Sequence, residues 1–163
     1  MSDQLLKLAR PFPAKYVKKP PSGKFGSYVP IDVVQQALLA YLGPVNIEIG
    51  QVFMGESGKV EGCLVTLICV IDAAPVSVTE VGDCENPDNW KTQGARMKDA
   101  ISDGIKRCAM RIGLGLHLWA QEDYFLFDYL TKQSQSSSGE HSVAANGEGV
   151  SSPSPPFLKA AET

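Results

Sequence analysis

Apolar residues recur along this chain in two rhythms, one of period two and one near 3.6. Val33, Val34, Ala37, Leu38 and Tyr41 keep helical spacing, which predicts a helix over 32–41. Asp32 is placed near its N-cap, and Gly43-Pro44 ends it. The rhythm then shortens. Asn46 to Met54 alternates, with Ile47, Ile49 and Phe53 expected on one face. After a turn at Gly55-Glu56-Ser57-Gly58, Lys59 to Ile71 is β-rich and almost continuously apolar. Asp72-Ala73-Ala74-Pro75 makes a second turn, and Val76 to Val81 alternates again, Val76, Val78 and Glu80 opposite Ser77, Thr79 and Val81. Such short connections imply an antiparallel meander. The helical rhythm returns from Thr92 to Ile112, where Met97, Ile101, Ile105, Cys108 and Ile112 form a stripe with Ala100, Gly104 and Ala109. That stripe is expected to pack on the sheet. Gly113 and Gly115 mark the exit, and Leu116 to Leu130 holds Trp119, Tyr124, Phe125, Phe127 and Tyr129, an aromatic density that needs burial, in this chain or against a neighbour. The pattern gives an α+β domain: an antiparallel β-β-β-α core with an additional N-terminal helix.

The flanks read differently. Pro11, Pro13, Pro20, Pro21 and Pro30 interrupt the start, with Lys15, Lys18, Lys19 and Lys24 between them and Phe12, Tyr16 and Phe25 interleaved. This suggests a basic Pro-rich arm over 1–27, either a solvated surface arm or a partner for a single-stranded nucleic acid. Residues 28–132 form the folded domain. Residues 133–163 are rich in Ser, Gly and Pro and are expected to be disordered, with Phe157-Leu158 as a candidate docking motif.

Charge refines this outline. The formal net charge of −3 argues against a nucleic-acid partner in bulk. Its distribution does not: 1–30 is net +5, 31–90 net −8, 91–132 net +2 and 133–163 net −2. A chain built this way can bind phosphate on one side and stay soluble through the other. Cys63, Cys69, Cys84 and Cys108 include no CxxC pair, and His117 and His141 are the only histidines, which is a poor zinc set. Buried reduced thiols are the expected reading, with no metal and no cofactor. The apolar start Leu5-Leu6-Lys7-Leu8 is too short for a signal peptide, and Cys63–Ile71 is about half a membrane span. A cytoplasmic location without membrane contact is expected.

The long helix carries the informative charges. Arg96, Asp99, Asp103, Lys106, Arg107 and Arg111 share the arc opposite the apolar stripe, and Lys98 lies off it. Basic residues at a helix C-terminus complement its dipole, and Asp103 can pair with Arg107 at i,i+4, so a solvated face explains the arc as well as a binding site does. Asp99 and Asp103, helped by Glu61 or Glu80, also allow a metal-dependent nuclease, although neighbouring cations compete for them. Gly58-Lys59 is no phosphate loop, because Phe53 and Val60 stand where such a loop requires Gly and Ser or Thr.

Met97-Lys98-Asp99-Ala100-Ile101-Ser102-Asp103-Gly104-Ile105-Lys106-Arg107-Cys108-Ala109-Met110-Arg111-Ile112-Gly113 resembles the signature helix of the Rad-fifty-two superfamily, which includes DdrA-like and phage Sak-like annealing proteins. The following Gly113-Leu114-Gly115-Leu116-His117-Leu118-Trp119 is similar to the ending seen in bacterial and phage members. Pro11-Phe12-Pro13, Tyr28-Val29, Leu42-Gly43 and Val81-Gly82 fall in matching order, so the resemblance spans about residues 8–125. It implies a closed homo-oligomeric ring, of ten or eleven subunits, that holds single-stranded DNA by its backbone and anneals complementary strands in recombination and repair without ATP. By the same resemblance, Lys106 and Arg107 match the paired basic residues of the groove, Arg111 a further basic position and Lys98 a Lys earlier in the helix. Val33 stands where eukaryotic relatives have a DNA-contacting Arg; Lys15, Lys18 and Lys19 are candidates to compensate, and Arg96 joins the candidate DNA-binding set. Ile112 replaces the usual aromatic. An interaction module whose tail recruits a recombinase or single-strand-binding protein is the alternative without catalysis.

Overall fold

The computed structural model describes residues 3–20 and 26–139, with the side chains of 137–139 excepted. The predicted Lys24, Phe25 and Pro21 steps of the arm, His141 and the Phe157-Leu158 motif lie outside the described residues.

The period-two segments form one antiparallel sheet, β1 (Asn46–Met54), β2 (Val60–Ile71) and β3 (Ala74–Asp83), in the order β1-β2-β3. Cys63, Val65, Leu67 and Cys69 of β2 share one face by parity, and all four are buried. Burial of the Val and Leu side chains contributes ~1.5–3 kcal/mol each relative to exposure. β3 brings Glu80, Val78 and Val76 opposite Val65, Leu67 and Cys69. The two strands meet at a two-residue turn in which Asp72 and Ala73 both have positive φ, 52° and 63°. That turn is tighter than the four-residue one expected, so Ala74 and Pro75 belong to β3. β1 is irregular: its register shifts between Ile49 and Val52. Ile47, Ile49 and Val52 pair with Leu67, Val65 and Cys63, while Phe53 pairs with Gly62, one step out of phase. Phe53 therefore does not share the face of Ile47 and Ile49, because the bulge adds a residue to one strand only.

Among the described residues five helices accompany the sheet: α1 (Asp3–Ala9), α2 (Ile31–Leu42), α3 (Gln93–Arg111), α4 (His117–Ala120) and α5 (Leu126–Gly139). Short 3-10 turns at Ala14–Tyr16, Pro87–Asn89 and Gln121–Asp123 join them. Pro30 takes the N-cap of α2 and Asp32 lies in its first turn, an acid at the positive end of the helix dipole. Gly43, at φ 76°, closes α2. Thr92 caps α3 by accepting the Ala95 N–H at 3.1 Å, a contact of ~1 kcal/mol. The stripe of α3 lands on the sheet as its spacing implies: Ala100, Gly104, Ile105, Cys108 and Ala109 are buried. Contact is closest at two glycines. A Cβ on Gly82 would overlap the Ala100 carbonyl oxygen, and one on Gly104 would sit 2.7 Å from the Val65 Cβ. The backbones of helix and strand thus meet where no side chain fits.

The N-terminal stretch is not the extended arm expected from its prolines. The prolines begin at residue 11, and before them α1 packs onto the body, with Leu8 and Ala9 buried. Gln4 stitches it there: its amide nitrogen donates to the Tyr41 carbonyl and its oxygen accepts the Asp72 N–H at 2.7 Å. Residues 133–139, expected in the disordered tail, belong to α5, which runs to Gly139. Tyr124 reaches back to donate its hydroxyl to the Ala9 carbonyl. Burial, with Asp128 nearby, pushes the Tyr124 phenol up to about 12. All four cysteines are free thiols and buried, and burial raises the pKa of each. That makes them poor nucleophiles.

Only one face of the sheet is filled by α3. On the opposite face Val70 and Val81 are exposed, and along β1 Ile49, Val52 and Met54 are exposed as well. The outer edges of β1 and β3 pair with no strand among the described residues. No helix among them is long and apolar enough to cross a membrane.

Candidate nucleic-acid interface

The outward side of α3 sorts the candidate cations by their neighbours. Arg96 is buried, at 7% exposure. The segment 87–90 folds over it, and its guanidinium donates to the Pro87 and Trp90 carbonyls and, at 3.1 Å, to Gln93 Oε1. Gln93 in turn accepts the Val60 N–H and donates to the Gly58 carbonyl, which ties the β1–β2 turn to the start of α3. Arg96 is thus a pin of the fold and unable to reach a phosphate. Its helical phase placed it on the charged arc, but phase does not reveal that another segment covers that part of the arc.

At the other end of α3 the basic residues stay accessible. Arg107 donates through Nε to Asp103 at 2.6 Å, the i,i+4 pair its spacing allows. Asp103 also accepts the Asp83 N–H at 3.2 Å, so helix and β3 end are joined through one carboxylate. This partner holds the Arg107 guanidinium above its usual pKa. The guanidinium lies 5.5 Å from the centre of the Trp119 ring, within cation–π range. Arg111 is more exposed and pairs with Glu80 of β3. Lys106 has no ion pair among the described residues, and its side chain lines a cleft of about 310 Å³. Lys98 is exposed two turns nearer the helix start.

Phe12, Tyr28, Leu114, Leu118 and Trp119 form much of that cleft, with Asp103, Ser27 and Gln121 as polar members. Trp119 is 54% exposed and Tyr28 40%. The aromatic density after α3 is therefore only partly buried within the chain. Tyr28 is fixed by the basic segment: Lys18 and Tyr28 exchange both backbone hydrogen bonds, at 2.8 and 2.9 Å. Lys18 and Lys19 are exposed, and Lys15 packs over the Tyr16 ring. Val33 is half-buried against the core and contributes no charge. His117 backs Phe12 from behind the lining. Its Nε2 accepts the Phe12 N–H at 3.3 Å, and its ring lies 5.9 Å from those of both Phe12 and Tyr124. Burial holds the imidazole below its usual pKa.

The structure brings Lys106 and Tyr28 to one cleft together with Trp119, over which Arg107 lies, sets Arg111 one turn beyond, and separates them all from Arg96. Tyr28 and Trp119 are the members that spacing does not announce, because they come from distant loops that meet only in the folded chain. Asp99 and Asp103 do not form a matched pair: Asp103 is held by Arg107 and the Asp83 N–H, and Asp99 lies against the Cys84 thiol. Among the described residues no three His, Cys, Asp or Glu side chains converge in a way that could hold a metal ion. Compared with protein-family models and with curated proteins, the chain matches none.

Proposed function

We propose that this protein binds single-stranded DNA along the C-terminal half of α3 and anneals complementary strands without ATP, as a homo-oligomeric ring acting in recombination or repair. The observation that carries the reading is a Lys106 with no ion pair among the described residues beside an Arg107 held in place by Asp103 and Trp119. A fixed guanidinium and a neighbouring ammonium suit a sugar-phosphate chain, which offers regularly spaced anions and demands no base preference. These are also the residues that, by the resemblance to annealing proteins, match the paired basic residues of the groove. Annealing changes no covalent bond, so the site needs affinity and spacing but no catalytic group. Many weak sites in series supply affinity while each segment of strand can still exchange. The open sheet supports assembly: strand edges unpaired among the described residues and exposed Ile49, Val52 and Met54 are features that a neighbouring copy would cover.

Fluorescence anisotropy with a labelled oligonucleotide tests the site. Lys106→Ala and Arg107→Ala should each weaken binding about threefold to tenfold for all sequences alike, and each should flatten the salt dependence by roughly 0.7 in log–log slope. Wild-type affinity and annealing in both variants would remove the assignment. Native mass spectrometry tests the ring, and a monomer at micromolar concentration would defeat it.

A further inference from the structure

We propose that the cleft beside Lys106 receives one unstacked base of the bound strand, so that each subunit grips the strand by a base as well as by phosphate. This rests on the single-strand reading above and deepens it. The cleft volume of about 310 Å³ is at the lower end of the range for small-ligand sites, ~300–1,000 Å³. It therefore suits a single planar group better than a stacked pair. Its walls offer what a base needs. Tyr28 and Trp119 expose ring surface, Phe12 and Leu118 supply an apolar lining, and Lys106 stands where the attached phosphate would lie. Base–aromatic stacking of this kind tolerates any base, because every base has a π-face.

Two features show that the cleft is shaped rather than incidental. Trp119 is steadied by the Arg107 guanidinium, itself anchored by Asp103. Gln121, on the cleft wall, holds φ 49° and ψ −120°, a conformation that residues with side chains avoid and that persists only where surroundings impose it. The polar members are few, and Asp103 is already engaged, so the cleft carries little donor–acceptor code. A base held there cannot pair. The neighbouring bases remain outside, and annealing proceeds from them, the held base leaving last.

The chain has two tryptophans, so a Trp90→Phe protein makes Trp119 the sole indole reporter. It is titrated at low salt with an oligothymidylate and with an abasic oligonucleotide of the same length. The oligothymidylate should quench Trp119. The abasic strand should bind about fivefold to a hundredfold more weakly and leave the emission unchanged. Tyr28→Ala or Trp119→Ala should bring the oligothymidylate down toward the abasic affinity. Equal affinity for both strands with no quenching would overturn the cleft assignment and leave the phosphate track standing. Trp119 emission already shielded in the free oligomer and indifferent to DNA would place a neighbouring subunit in the cleft, and would also overturn it. Failure of either strand to bind would sink the single-strand reading itself.

Discussion

The underside and the outward side of α3 obey different rules. Beneath, Ala100, Gly104 and Cys108 press on Gly82 and Val65 so closely that hydrogen is the only substituent tolerated at two positions. The Cys108 thiol even finds the Val65 and Val78 carbonyls at 3.3 and 3.4 Å. Outside, Asp103, Lys106, Arg107 and Arg111 keep partial access to solvent. One side is selected for volume, the other for charge and its neighbours. Arg96 crosses the division: helical phase sets it outside, yet the 87–90 segment makes it part of the interior.

Substitutions sharpen that contrast. The largest effect is expected at Gly82→Ala, which forces helix and strand apart and should cost about 3 kcal/mol or more in chemical denaturation. A variant as stable as wild type would refute the tight crossing. Arg96→Met comes next. It leaves the Trp90 carbonyl without its donor and the Pro87 carbonyl with only the Trp90 N–H, and should cost roughly 2–3 kcal/mol, while the protein that remains folded keeps its DNA affinity. Lost affinity at unchanged stability would return Arg96 to the binding face. On the outward side the order reverses: Lys106→Ala should leave the melting temperature within about 2 °C and reduce only DNA binding. Lys98→Ala, farther from the cleft, should change affinity by less than about threefold. A loss equal to that of Lys106→Ala would extend the track along the whole helix.

The smallest effect expected is on pH. His117 is half-buried, its Nδ1 enclosed and without a hydrogen-bond partner among the described residues, and its folded pKa is depressed by desolvation. The unfolded chain therefore binds the proton more readily, so stability is complete above the ordinary histidine pKa of about 6.5 and declines as pH falls through it toward the lower folded value. His117→Gln should flatten that part of the profile. An unchanged slope between pH 7 and pH 5.5 would show that His117 does not contribute.

Most of the framework was legible because it depends on local period. The β1, β2 and α3 segments, the turn glycines and the buried parity of Cys63 and Cys69 follow from spacing alone, since one buried face imposes one rhythm. The Asp103–Arg107 pair was legible for the same reason. α1 was not, because seven residues ahead of a proline-rich stretch show too few periods to stand out, and the helix is held by contacts such as Gln4 with Tyr41 and Asp72. The sequence by itself determined which residues of α3 bear charge. Only the tertiary structure decided which of those charges remain available, for it alone folds 87–90 over Arg96 and brings Tyr28 and Trp119 beside Lys106. Availability depends on what distant segments cover, and that is a property of packing in space, which periodicity along one element cannot encode.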